Sequence, residues 1–254
     1  MDRHFDCTAC GKCCYGWLPL SIKDALAHAD KFPLFLFWMP VRPGGKSHNL
    51  TLDLGFELAL KKRKKAAVRI FPVSYVQTHM ACPALQDDGL CAIHDTKPQR
   101  CRTMPLSGAR AENDQLDLLI PNPDWACDVS ENAALVYRDK KILSRQDFQG
   151  ERALLIEDSK ILKPFVQLMI DGVPKLRMDL EKVAGRPKGG HIIVSFSTLI
   201  PRLAEVDIID FAQKQLPVMQ DFAAATAHQP ENKDAHERYT ASANDYQRVL
   251  DNAD

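Results

Sequence analysis

The pattern of apolar and polar positions changes character near the middle of the chain. In the second half, SKILKPFVQLMIDG runs at helical spacing to Gly172, and VPKLRMDLEKVAG opens on Pro174 and closes on Gly185. A proline in the first turn and a glycine just past the last are the expected start and stop of a helix. VDIIDFAQKQLPVMQDFAAATAH repeats the helical spacing, and HIIVSF reads as a short strand after the flexible GRPKGG. Pro201 and Pro217 are expected to break or kink the chain beyond that strand. The segment HQPENKDAHER reads as a polar tail.

The first half alternates instead. LTLDLGFEL sets Leu50, Leu52, Leu54, Phe56 and Leu58 on one face, which predicts a strand. The basic run KKRKK at 61–65 then separates it from AAVRIFPVSYV, a second β-rich segment, so a hairpin with a charged loop is expected. PLFLFWMPV, at 33–41, is the most apolar stretch and falls far short of the ~20 residues of a membrane helix, so it reads as core or a packed surface. The predicted class is α+β, with a small cysteine-rich metal-binding domain over 1–127 followed by a mainly helical region over 128–254.

Composition narrows the partners. The 254 residues hold 33 lysines and arginines against 33 aspartates and glutamates, so no net field recommends nucleic acid or an anionic membrane. The opening residues carry aspartates, a lysine and three cysteines where a secretory leader would be apolar, which predicts a cytoplasmic protein. GRPKGGH lacks the spacing of a phosphate-binding loop, and neither a nucleophile elbow nor HExxH is present.

The chemistry lies in the cysteines. All eight, Cys7, Cys10, Cys13, Cys14, Cys82, Cys91, Cys101 and Cys127, fall in the first half. In a reducing compartment such a cluster is metal-binding or catalytic rather than disulfide-bonded, and the adjacent Cys13 and Cys14 disfavour disulfides on geometric grounds. Cys7-Thr8-Ala9-Cys10-Gly11 has the form of a chelating knuckle, in which glycine supplies a positive φ; a helix here would instead align positions 7, 10 and 14. Farther on, Asp87-Asp88-Gly89 predicts a tight turn folding Cys82 and Cys91 toward each other. Pro98 predicts a helix start with Cys101 in its first turn, where Arg100 and Arg102 would favour a thiolate. His94 comes after Cys91 at a Cys-x-x-His spacing and is either a ligand or a hydrogen-bond donor. Cys127, in NPDWACD, either completes the set or is a small buried hydrophobe.

The order Phe5-x-Cys7-x-x-Cys10-Gly11-x-Cys13-Cys14, then Cys82-Pro83-x-Leu85, Asp88-Gly89-x-Cys91-x-Ile93-His94 and Lys97-Pro98-x-x-Cys101-Arg102-x-x-Pro105, resembles the bacterial CxxCxxCC cysteine-cluster proteins over about residues 5–127. The resemblance implies zinc or iron chelation by these thiols. The flagellin lysine N-methylase is a more distant resemblance, with a similar cysteine-rich start and an iron–sulfur cluster implied in methyl transfer. This chain has His94 where tyrosine is frequent in the family and Met104 where phenylalanine is frequent.

Two functions are expected. Eight thiols exceed one tetrahedral zinc site, which favours iron, as a 4Fe–4S cluster, supporting redox or methyl-transfer chemistry. The alternative is a zinc-stapled structural or interaction module. A thiol redox enzyme is weaker, since no CxxC on a thioredoxin-like βαβ pattern appears. A metal ion is the one partner the residues name.

Overall fold

Leu34–Val41 forms a strand buried without a break from Leu34 to Trp38. The strand belongs to a computed structural model that describes residues 2–45, 47–60, 64–187 and 189–253. Positions 61–63 of the basic run and 188 of the glycine-rich linker lie outside the described residues. In chain order the elements are β1 (Arg3–His4), β2 (Leu18–Pro19), α1 (Ile22–Ala27), β3 (Leu34–Val41), α2 (His48–Leu54), β4 (Phe56–Ala59), β5 (Lys65–Ser74), α3 (Gln99–Thr103), β6 (Leu135–Arg138), β7 (Lys141–Ile142), α4 (Gln146–Gly172), α5 (Pro174–Gly185), β8 (Ile192–Ser195), α6 (Ile208–Thr226) and α7 (Lys233–Asp251). The class is α+β, β-rich early and helical late. The larger sheet has the order β2-β5-β3-β8, with β4 also on β5, and the smaller is β1-β6-β7. Among the described residues no helix is long and apolar enough to cross a membrane.

The chain condenses into two compact units, each assembled from three stretches. The first comprises Met1–Cys14, Trp38–Ile70 and Ala84–Ile192. Here β4 and β5 pair antiparallel from Phe56 opposite Val68 to Ala59 opposite Lys65, the expected hairpin. Its first arm is shorter than the alternation predicts, because residues 48–54 are helix α2. Thr51 and Leu54 are its buried residues, three positions apart on one helical face. Gly55 makes the switch from helix to strand: a Cβ there would lie 2.1 Å from the Val68 carbonyl oxygen and 2.7 Å from that of Thr51. Trp38 packs on Phe165 of α4 at 6.0 Å between ring centres. A second apolar cluster joins Leu106, Leu119, Tyr137, Ile142 and Phe148, with Phe5 and Val136 against it.

The second unit comprises Tyr15–Phe37, Phe71–Pro83 and Ile193–Asp254. Asp207 caps α6 by accepting from the amides of Ile209 and Asp210. Phe211 meets Tyr246 at 5.8 Å and Phe222 meets Tyr239 at 5.3 Å, so α6 and α7 run antiparallel. The polar tail is therefore mostly helix, with Ala235, Tyr239, Ser242, Ala243 and Tyr246 as its buried stripe. Helix α6 continues through Pro217. The amide that proline lacks would have bonded Gln213, an exposed residue whose carbonyl water can serve. Gln215, with 0 % exposure, accepts from the Leu34 amide (3.1 Å) and donates to the Phe32 carbonyl (2.8 Å).

Candidate metal centre

Residues 7–11 form the knuckle rather than the helix. Ala9 (φ 54°) and Gly11 (φ 68°) both take the left-handed conformation. Gly11 sets the knuckle against the second cysteine motif: a Cβ there would lie 3.0 Å from the Gly89 carbonyl oxygen and 3.1 Å from Leu85 Cδ1. The Lys12 amide first, then the Ala126 amide, hydrogen-bond the Cys10 sulfur and lower its pKa, with Thr8 adding to them against desolvation and the nearby Cys13. The Thr8 hydroxyl donates to the Ala126 carbonyl at 2.9 Å.

Backbone bonds bring the far end of the first half to the knuckle. The Asp6 amide donates to the Asp128 carbonyl (2.8 Å), and the Asp128 amide returns the bond to Asp6 (3.0 Å). The Phe5 amide reaches the Ala134 carbonyl at 2.9 Å, and the Ala134 amide donates to Asp6 Oδ2 at 3.0 Å. Cys127 is half-buried as a result, and its thiol is pushed up first by desolvation, then by the charges of Cys10, Cys7 and Cys13. Cys13 and Cys14 share a thiol–thiol hydrogen bond. That bond, ahead of desolvation and the charge of Cys14, raises Cys13 far above the ordinary thiol range, while Lys97 pulls the other way.

The second motif folds as a turn. Gln86 N–H donates to the Leu90 carbonyl and Gly89 N–H to the Gln86 carbonyl, each at 2.9 Å, with Gly89 at φ 83°. Leu85 and Cys91 close its base as an antiparallel bridge. His94 is exposed, and its amide donates to the Cys91 carbonyl at 3.2 Å. After Pro98, α3 places Cys101 in its first turn. Gln99 Nε2 and Thr103 Oγ1 both donate to the Asp147 carbonyl, at 3.0 and 3.1 Å, and Arg100 Nη1 pairs with Glu151 Oε2 at 3.2 Å. Arg102 donates to the carbonyls of Lys97 and Asp95. The arginines thus brace backbone and α4, and Lys97 is the cation whose charge acts on Cys13. Cys82 lies in the second unit, next to Ala81, which bridges to Tyr15, the residue after Cys14.

None of the eight cysteines is in a disulfide. Soft thiolate donors in this number suit zinc, iron or an iron–sulfur cluster. Among the described residues no three His, Cys, Asp or Glu side chains stand close enough together to hold an ion. Residues 6–128 match the CxxCxxCC family, described as a "putative zinc- or iron-chelating domain". Over these residues, 123 of the chain's 254, the sequence is similar to that domain. No curated protein and no solved structure matches the chain.

The region matched by the CxxCxxCC family begins and ends on the two residues that exchange backbone bonds, Asp6 and Asp128. Its thiols are legible as a motif, but its accessory groups are less so. Thr8 and the Ala126 amide carry no motif of their own, while Lys97 stands in the Lys97-Pro98-x-x-Cys101 motif with nothing there to mark its charge as acting on Cys13.

Proposed function

We propose that the CxxCxxCC domain binds zinc or iron through thiolates drawn from Cys7, Cys10, Cys13, Cys14, Cys82, Cys91, Cys101 and Cys127. The observation that carries this reading is the gathering, within the first unit, of the knuckle, the 85–91 turn and the segment ending at Cys127, with no disulfide among the sulfurs. Amides directed at the Cys10 sulfur favour a thiolate there. Eight thiols outnumber the four of a zinc site and favour iron held as an iron–sulfur cluster, in a reducing, cytoplasmic setting. Such a cluster would supply redox or methyl-transfer chemistry. Anaerobically isolated protein should then be coloured and carry iron with acid-labile sulfide. Colourless protein with stoichiometric zinc replaces the cluster by zinc; protein that takes up neither metal ends the chelation reading.

One observation supports the zinc-stapled module as a second reading. With no three donors already closed among the described residues, ligand convergence and local folding would be one event. Chelation should then shift the melting curve, and an unchanged curve argues against a structural ion.

A further inference from the structure

We infer that the cleft between β1, the chain that follows the turn Leu116–Leu119 and the loop at 128–133 binds a small organic cation, an ammonium or guanidinium group carried on an apolar body. The cleft belongs to the first unit, and among the described residues none that lines it is a cysteine.

With a volume of about 320 Å³ it falls at the small end of the ~300–1,000 Å³ of small-molecule sites. Part of the lining is apolar. Leu119 is buried, whereas Ile120 and Val129 stand 61 % and 48 % exposed on the same cleft. An apolar body laid against them removes from water surface that the fold itself leaves there.

Hydrogen bonds hold the walls in place before any ligand arrives. His4 Nδ1 meets the Ala133 carbonyl at 2.7 Å and ties β1 to the loop. The loop is shaped by the Ser130 amide, which donates to Asp128 Oδ1 at 2.9 Å, and by the Ala133 amide, which donates to the Ser130 carbonyl at 3.1 Å. Arg138 of β6 grips the Asp2 carboxylate through Nε and Nη2, at 3.0 and 2.6 Å, and so secures the start of β1.

These bonds also select the charge of the ligand. Asp2 is answered by Arg138, and Arg3 is engaged within the fold. Glu131 is exposed on the cleft and enters no ion pair among the described residues, so its carboxylate is the charge that a ligand meets. Because a carbonyl only accepts, the bond to Ala133 puts the His4 ring proton on Nδ1 and makes Nε2 of the neutral ring an acceptor. A carboxylate and an imidazole acceptor beside an apolar wall suit a group that is positive and rich in N–H donors.

Three probes that share one phenyl body test the site on the full native chain by saturation-transfer NMR: phenethylammonium, phenethyl alcohol and hydrocinnamate. At low ionic strength the ammonium should bind saturably, the alcohol about threefold more weakly and the carboxylate about tenfold more weakly. No saturation by the ammonium, or a carboxylate that binds as tightly, overturns the inference without any variant having to fold. Ile120 and Glu131 are both exposed, so substitutions there leave folding intact. Ile120→Ser should weaken all three probes by about fivefold. Glu131→Gln should weaken the ammonium by about threefold and leave the alcohol unchanged. Native affinity for the ammonium in both variants puts binding elsewhere on the chain and overturns the inference.

Discussion

At Gly11 two constraints coincide: a left-handed φ of 68° and the Gly89 carbonyl 3.0 Å from where a Cβ would stand. Gly11→Ala should therefore cost about 1–3 kcal/mol of stability through backbone strain, before any overlap with the second motif is relieved. Urea unfolding of the metal-free chain measures it, and an unchanged midpoint would mean that the knuckle relaxes freely. Thr8 acts more locally. Thr8→Val removes the bond to Ala126 and the contribution to Cys10, and should weaken metal binding by about tenfold, the lower end for a group behind the ligands. A metal titration that returns the native affinity would exclude Thr8 from that role. The thiols themselves could be read from the chain because cysteine spacing is local information. The meeting of the knuckle with the segment ending at Cys127 could not, since it depends on backbone bonds between residues 6 and 128 that no short window contains.

The short helix that bears Cys101 is bonded to α4 through Gln99, Arg100 and Thr103. Glu151, 6 % exposed, accepts from Arg100 at 3.2 Å and from the Gly108 amide at 2.8 Å. Glu151→Ala would leave the guanidinium and an amide without their carboxylate, and a loss of about 3 kcal/mol is expected. Equilibrium denaturation is the measurement; a loss below about 1 kcal/mol would show that Gln99 and Thr103 suffice to dock α3. Helices closed by glycine, such as α4 and α5, were legible because start and stop signals agree with the apolar spacing. Residues 50–54 were not. Leucines at every second position satisfy a strand pattern, yet burial of Thr51 and Leu54 with a sterically obligatory Gly55 selects the helix. In α7 the buried stripe is alanine, serine and tyrosine, too weakly apolar to stand out from its polar neighbours.

Over the whole molecule the balance of charge offered little, and titration tracks buried groups instead. In metal-free protein, Cys13 is raised by its bond to Cys14, and Cys127, Tyr137, Tyr239 and Tyr246 are raised chiefly by desolvation. A folded pKa above the unfolded one gives stability that is complete below the unfolded value and is lost as pH climbs toward the folded one. Thiol and phenol references of 9.0 and 10.0 place the loss above about pH 9, steepening beyond pH 10. Cys10 opposes this with its lowered pKa, whose contribution is present above pH 9.0 and lost below it, but solvent screens so exposed a group. Melting temperature should fall between about pH 8 and about pH 10.5, with the thiol part absent once metal holds the sulfurs; a level profile in metal-free protein would contradict these directions.

The bonds between Asp6 and Asp128 also set a schedule. Asp6 leaves the ribosome 122 residues (128 − 6) ahead of Asp128, with which it exchanges backbone bonds. At roughly 5–20 residues per second that interval is about 6–24 s, during which the leading thiols travel on a nascent chain whose pairing strand has not been made.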